Sequence, residues 1–241
     1  MNDGAGDPTG RFLAGTTAFN RKSTAGICRL QPDFPVHLVL SNATLPNGID
    51  CAPNDQTMCH VDTPRRQIAA FSHDLFTGGT SEGRIFADLR DSNRHPDGLT
   101  LNEEGHAWVV VFRTVEIRTY APNSRLAQST RLTASLVTGC RFGGPDLLDL
   151  YVTSASRAMT PAQLESEGLA GGLFQTHTDT RGHKVRRSAG SLKFSYSSHS
   201  MSTSPSPVRS LASIETQYAW SHHTSYVNFL RSNLRRTAHY M

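Results

Sequence analysis

The sequence predicts an all-β chain, a β-propeller of about four blades followed by a tail, and three observations carry that prediction. A polar residue followed by glycine recurs at Asp3-Gly4, Asn47-Gly48, Asp97-Gly98 and Thr138-Gly139, at intervals of 44, 50 and 41 residues. Each step is followed by a turn cluster, and each turn cluster by a short apolar or aromatic run. The two central repeats each hold four such runs. One four-stranded unit per repeat of this length is how a propeller blade reads. An ordinary β-sandwich also places strands at about 8–12-residue spacing. The polar-Gly step, however, recurs at blade distance rather than strand distance.

In chain order, the turn Asp7-Pro8-Thr9-Gly10 leads into the run 11–15. The second repeat predicts strands over 48–52, 58–62, 67–72 and 84–88, with Pro53-Asn54-Asp55-Gln56 as the turn after the first. The third predicts strands over 99–101, 107–112, 115–120 and 126–132, with Asn102-Glu103-Glu104-Gly105 as the corresponding turn. In the fourth, Gly143-Gly144-Pro145-Asp146 precedes a run over 148–153. One helical turn is expected over 160–165, with Thr160 as N-cap and Pro161 at the first position. The pattern stops near Ser191, so the domain is placed at 1–190. Residues 191–241 are serine-rich, with a low-complexity stretch at 202–206, and are expected to be a disordered tail. Within it, 225–234 could form a short basic amphipathic helix.

Charge and composition exclude several classes. The formal net charge is +4. Lys193, Arg209, Arg231, Arg235 and Arg236 against the single acid Glu215 put all of it in the tail. A neutral body with a basic tail does not present the folded basic face of a nucleic-acid-binding domain. The longest apolar run, 107–112, is far short of the ~18 residues a membrane helix needs. Met1 to Pro8 has neither the basic start nor the apolar stretch of a secretory signal, so a cytoplasmic protein is expected. Cys28, Cys51, Cys59 and Cys140 form no C-x-x-C pair and are expected as reduced thiols. There is no G-x-S-x-G elbow and no P-loop. His177, His183 and His222-His223 lack a zinc-ligand pattern and are expected on the surface or in the tail. Trp108, Phe112 and Tyr120 are expected to pack between blades, and Asp62 and Asp74 to serve turns or strand ends.

The innermost strands of a propeller face its axis, so equivalent positions of successive blades converge. Asn47 and Asp97 are equivalent by spacing, and their oxygens are expected to meet there. A carboxylate and an amide carbonyl in a shared cavity suit a hard cation such as Ca²⁺. Asn-Gly and Asp-Gly also make turns, and on spacing alone that reading stays open.

The same residues resemble a known family. Asn2-Asp3-Gly4-x-x-Asp7-Pro8-x-Gly10-Arg11-Phe12-x-Ala14-Gly15-Thr16 is similar to a motif of the regucalcin, senescence-marker-protein and gluconolactonase family. Pro46-Asn47-Gly48-Ile49 resembles its S-N-G-L/I step. Pro96-Asp97-Gly98-Leu99, followed by Glu104-Gly105-His106-Ala107-Trp108-Val109, resembles its P-D-G-L/M and E-G-x-x-W-V segments. Phe142-Gly143-Gly144, Leu150 to Ala155 and Ala170 to Phe174 resemble its closing segments, in order, up to Gly190. The resemblance implies a six-bladed propeller that hydrolyses sugar lactones with a divalent ion on its axis. Ca²⁺ is the expected ion, with Zn²⁺, Mg²⁺ or Mn²⁺ as alternatives, and a small lactone is the expected partner. By motif, Asn47 and Asp97 match metal ligands, Asp97 also matches the general base, and Asn2 matches a substrate contact. An acidic substrate contact of the family falls by spacing on Asn20.

The departures carry expectations too. The sequence starts inside the N-D-G motif, so the family's N-terminal ligand Glu and the Arg two residues before the position of Asn2 have no counterpart in it. Two ligands of three remain, which implies weaker Ca²⁺ binding. An open ring leaves strand edges that invite self-association. The family's Gly-Gly after the tryptophan strand is replaced by Arg113-Thr114-Val115. An alternative reading is therefore a non-catalytic propeller fragment with weak metal binding or an interaction role.

Overall fold

The computed structural model describes residues 1–17, 24–33, 35–90, 94–157 and 159–190. Asn20, the histidine pair His222-His223 and the serine-rich segment 191–241 lie outside the described residues. Four antiparallel sheets follow one another along the chain. The first holds β1 (Gly4–Gly6), β2 (Phe12–Gly15), β3 (Ala25–Leu30) and β4 (Val36–Ala43). The second holds β5 (Pro46–Cys51), β6 (Thr57–Asp62), β7 (Gln67–His73) and β8 (Thr80–Asp88). The third holds β9 (His95–Leu101), β10 (Ala107–Phe112), β11 (Glu116–Tyr120) and β12 (Leu126–Arg131). The fourth holds β13 (Val137–Gly143), β14 (Asp149–Ser154) and β15 (Leu173–His177), with α1 (Pro161–Ser166) between the last two. Within each sheet the strands pair in sequence order, and β1, β5, β9 and β13 lie side by side as the inner strands. This is the propeller arrangement the repeat predicts.

Burial explains the strands. Ala107 to Val111 on β10 are all buried, because both faces of that blade are covered. Val109 and Val111 point one way, into a core shared with Leu99 of their own blade and Val61, Ile68 and Phe86 of the second. Trp108 and Val110 point the other way, against Phe142, Leu150 and Val152 of the fourth. Trp108 meets Phe142 edge-on with ring centroids 5.5 Å apart, so its expected place between blades is occupied. Leu13, Ile27, Ile49 and Met58 fill the seam between the first two blades. Each such side chain contributes roughly 1.5–3 kcal/mol on burial. The helical turn forms as expected: the Thr160 hydroxyl accepts from the Gln163 N–H at 3.3 Å, and the Gln163 side chain accepts from the Thr160 N–H at 2.9 Å. No helix among the described residues is long and apolar enough to cross a membrane.

The recurring glycine has a steric cause. A Cβ on Gly98 would lie 2.5 Å from the Gly139 Cα, and one on Gly48 would lie 2.7 Å from the Asp97 carbonyl oxygen. Neighbouring inner strands approach too closely here for any side chain. The steps also coincide with bulges rather than hairpin turns. Val109 and Val111 pair with Leu99 and Pro96, leaving Asp97-Gly98 as the irregular pair, and the ladder also shifts between Asn47 and Asp50 and between Val137 and Gly139. A bulge re-aims the side chain beside it. Arg113, which stands where the resemblance has glycine, takes the left-handed conformation at φ 63°.

After β15 the chain crosses one end of all four blades. The Thr178 N–H donates to Leu148 O at 2.8 Å, Gly182 N–H to Leu147 O at 2.9 Å, and Arg181 O accepts from Glu103 N–H at 2.9 Å. Arg186 donates to Cys51 O at 2.8 Å and Ala52 O at 3.0 Å, and the Ala189 N–H reaches Gly10 O at 2.7 Å. His183, expected on the surface, is instead 9% exposed at its side chain and lies 3.1 Å from the Asp50 carboxylate. Spacing alone misses it because its partner is in another blade. His177 is exposed as expected, beside Asp149.

If crowding at the axis fixes the repeat, Gly98→Ala should destabilise the fold by about 1–3 kcal/mol, the usual cost of overpacking. Thermal unfolding checks this, with Gly79→Ala, at a site with only one near neighbour, as the comparison.

Candidate functional site

Three of the four predicted residues lie among the described ones, and all three are buried: Asn2, Asn47 (3% exposed) and Asp97 (7% exposed). Asn47 and Asp97 occupy equivalent bulges of the adjacent inner strands β5 and β9. Asn2 enters just before β1, and its amide donates to Pro46 O at 2.9 Å and to the Asn47 side-chain carbonyl. The Asn47 amide donates to the Thr63 hydroxyl at 2.9 Å. Asp62 anchors the approach, accepting from the Thr44 N–H at 2.9 Å and the Leu45 N–H at 3.2 Å, so the strand-end role expected for it holds. Asp74 likewise closes a turn, accepting from the Thr77 hydroxyl at 2.8 Å.

Asp3 belongs to this site and was missed by sequence reasoning. It fills the same step in the first blade that Asn47 and Asp97 fill in the next two, so the signal was present. Its carboxylate accepts from the Gly4 N–H at 2.7 Å. Burial raises the Asp3 carboxyl above its ordinary range, against the N–H groups of Gly4, Gly48 and Ile49 and the charge of Arg141. Asp97 is raised well above the ordinary carboxylate range, first by burial and then by the charge of Asp3. Among the described residues, no hydrogen bond reaches the Asp97 carboxylate.

Three residues farther along each strand the electrostatics reverse. Asp50 accepts from Arg141 at 2.8 Å, from the Leu101 N–H at 3.1 Å and from Thr100 at 3.2 Å. Burial alone would raise its carboxyl, but Arg141, His183 and Leu101 outweigh that and hold it well below the ordinary range. The channel therefore has a neutralised layer at Asp50 and a poorly compensated one at Asp97 and its neighbour Asp3.

That poorly compensated layer fits a divalent cation in kind. Its donors are the carboxylates of Asp3 and Asp97 and the side-chain carbonyl oxygen of Asn47, all hard oxygens. A buried carboxylate with no proton donor beside a second carboxylate is a place where positive charge is missing. The fit is modest in charge, because no group of three or more His, Cys, Asp or Glu converges among the described residues.

The family model described as SMP-30/Gluconolactonase/LRE-like region matches residues 1–156. Regucalcin of Danio rerio is 34% identical over 179 residues, which are 73% of this chain and 61% of that protein. A Bacillus subtilis protein named "Putative sugar lactone lactonase YvrE" is 32% identical over 196 residues, 80% of this chain and 66% of that one. The calcium-binding protein regucalcin of Agrobacterium tumefaciens, a solved structure, superposes with a TM-score of 0.73 at 22% identity, covering 78% of this chain and 64% of that chain. A luciferin-regenerating enzyme superposes with a TM-score of 0.70 at 27% identity, covering 77% and 64%. The chain thus spans 61–66% of the length of these two curated relatives.

The raised Asp97 carboxyl sets a pH dependence with a definite sign. The folded state binds its proton more tightly than the unfolded state, so this group costs stability as pH rises above about 4. In chelator, Asp97→Asn should therefore melt higher than the parent at pH 8, with the gap closing toward pH 4. Parallel melting curves across that range would contradict the assignment.

Proposed function

The chain belongs to the SMP-30/gluconolactonase/LRE-like family, and on that premise we propose that it hydrolyses a sugar lactone with a divalent cation held on the propeller axis. The observation that carries the proposal is the Asp97 carboxylate, buried, lacking a hydrogen-bond donor among the described residues, and raised first by that burial and then by the charge of Asp3. In this reading Asn47 and Asp97 hold the ion, with Asp3 adding negative charge beside them. Ca²⁺ suits the oxygen donors best, and Zn²⁺, Mg²⁺ or Mn²⁺ share the chemistry less fully. When bound, such an ion polarises the ring carbonyl and lowers the pKa of a water.

The chain's own residues supply the rest. Asp97 takes the proton released as water adds to the lactone carbonyl and returns it to the ring oxygen as the ring C–O bond breaks. Asn2, whose amide nitrogen is committed to Pro46 O and Asn47, keeps its carbonyl oxygen for a sugar hydroxyl. Asn20 is the second substrate contact in this proposal. The four cysteines are unpaired, in keeping with the reducing cytoplasm proposed for the protein. Val36 and Leu38 on β4, each 64% exposed, are the surface proposed for self-association.

One observation favours a second reading. Among the described residues no group of three or more His, Cys, Asp or Glu converges, which supports a non-catalytic propeller with weak metal binding. Lactone hydrolysis with added Ca²⁺, Zn²⁺ or Mn²⁺ separates the two. The parent should show a metal-dependent rate that Asp97→Ala lowers by about 10²–10⁴-fold, the usual worth of a general base. A parent rate no higher than buffer would leave the second reading.

A further inference from the structure

We infer that Thr63 is a positioning residue: its hydroxyl fixes the rotation of the Asn47 amide so that the carbonyl oxygen, and not the nitrogen, faces the propeller axis. The inference rests on the site reading above for its consequence, but the lock itself is a matter of hydrogen-bond polarity.

Thr63 follows β6 and lies between blades. Its Oγ1 is 2.8 Å from Pro96 O, the residue before Asp97. A peptide carbonyl only accepts, so the single hydroxyl hydrogen of Thr63 is committed to Pro96. What Thr63 then offers Asn47 is a lone pair. Only the NH₂ end of the amide can meet a lone pair, and it does so at 2.9 Å. The Asn47 carbonyl is thereby turned the other way.

The opposite end of the network enforces the same polarity independently. The Asn2 NH₂ donates at 2.9 Å to Pro46 O, again a group that only accepts, and to the Asn47 side-chain carbonyl. A flipped Asn47 would set oxygen against the Thr63 oxygen and NH₂ against the Asn2 NH₂, losing both bonds. Two proline carbonyls, one on each side of the site, thus fix a run of three side chains. A carbonyl oxygen has two lone pairs. Asn2 uses one on Asn47, and the second remains for a cation. Thr63 also ties the metal-side residue of the second blade to the strand that carries Asp97, so it acts on the spacing of the two blades as well as on the amide.

Side-chain amide NMR of the full chain, in chelator, reads the lock without any ion. The Asn47 NH₂ protons should show an NOE to the Thr63 side chain and slowed exchange in the parent. Thr63→Ser should keep both, and the isosteric Thr63→Val should lose both. Ca²⁺ titration of the same samples should then show about 10–100-fold weaker binding for Thr63→Val, the range for loss of an outer-shell partner, and near-parental binding for Thr63→Ser. An Asn47 NH₂ that points away from Thr63 in the parent overturns the inference, even if Thr63→Val fails to fold. So does a folded Thr63→Val that keeps both the amide signature and the parental affinity. A locked amide in a parent that binds no Ca²⁺ supports the lock and overturns the metal reading instead.

Discussion

Four inner strands share one axis, and the contact between Gly98 and Gly139 leaves no volume there for a Cβ. Much of the molecule follows from that crowding. Glycine recurs at each step, and in the second, third and fourth blades the ladder yields at the same place, while in the first it stays in register through Gly4. The residue just before each glycine is then aimed at the axis. Asp3, Asn47 and Asp97 are polar because they occupy those positions, and they are neighbours because the blades that carry them are packed through apolar cores. The packing of Val109 against one blade and Val110 against the next is thus the indirect cause of where the oxygens sit.

The channel separates two kinds of buried acid. Asp50 is surrounded by donors and a guanidinium, and its charge is well compensated. The crossing segment contributes His183 to that compensation. Asp97 has no such company and faces the charge of Asp3. Two carboxylates in similar strands thereby acquire opposite tendencies, one to stay ionised and one to hold a proton or a cation. The first organises the fold, and the second is where the proposed chemistry is placed.

The strands of the second and third blades were legible because their cores alternate or run apolar between strong turn signals. The candidate residues Asn47, Asp97 and Asn2 stand out in the sequence because they sit in a repeat and in motifs. Asp3 shared the repeat and could have been read from it. The outer strands of the first blade were not foreseen, since β4 is largely exposed and has no buried period. Thr63 and His183 carry no local signal at all. Their partners, Pro96 and Asp50, lie 33 and 133 residues away, and only the closed geometry of neighbouring blades brings them together. The polar segment that crosses the blades after β15 was invisible for the same reason.

The central claim is that one axis gathers the oxygens of Asn47 and Asp97 around a single ion. Anomalous diffraction from crystals soaked in Ca²⁺, or in Mn²⁺ as a stronger scatterer, tests it most directly. The account predicts one axial peak about 2.3–2.6 Å from both the Asn47 carbonyl oxygen and the Asp97 carboxylate for Ca²⁺. A saturating soak that leaves the axis empty, or a peak bonded to neither residue, would contradict it.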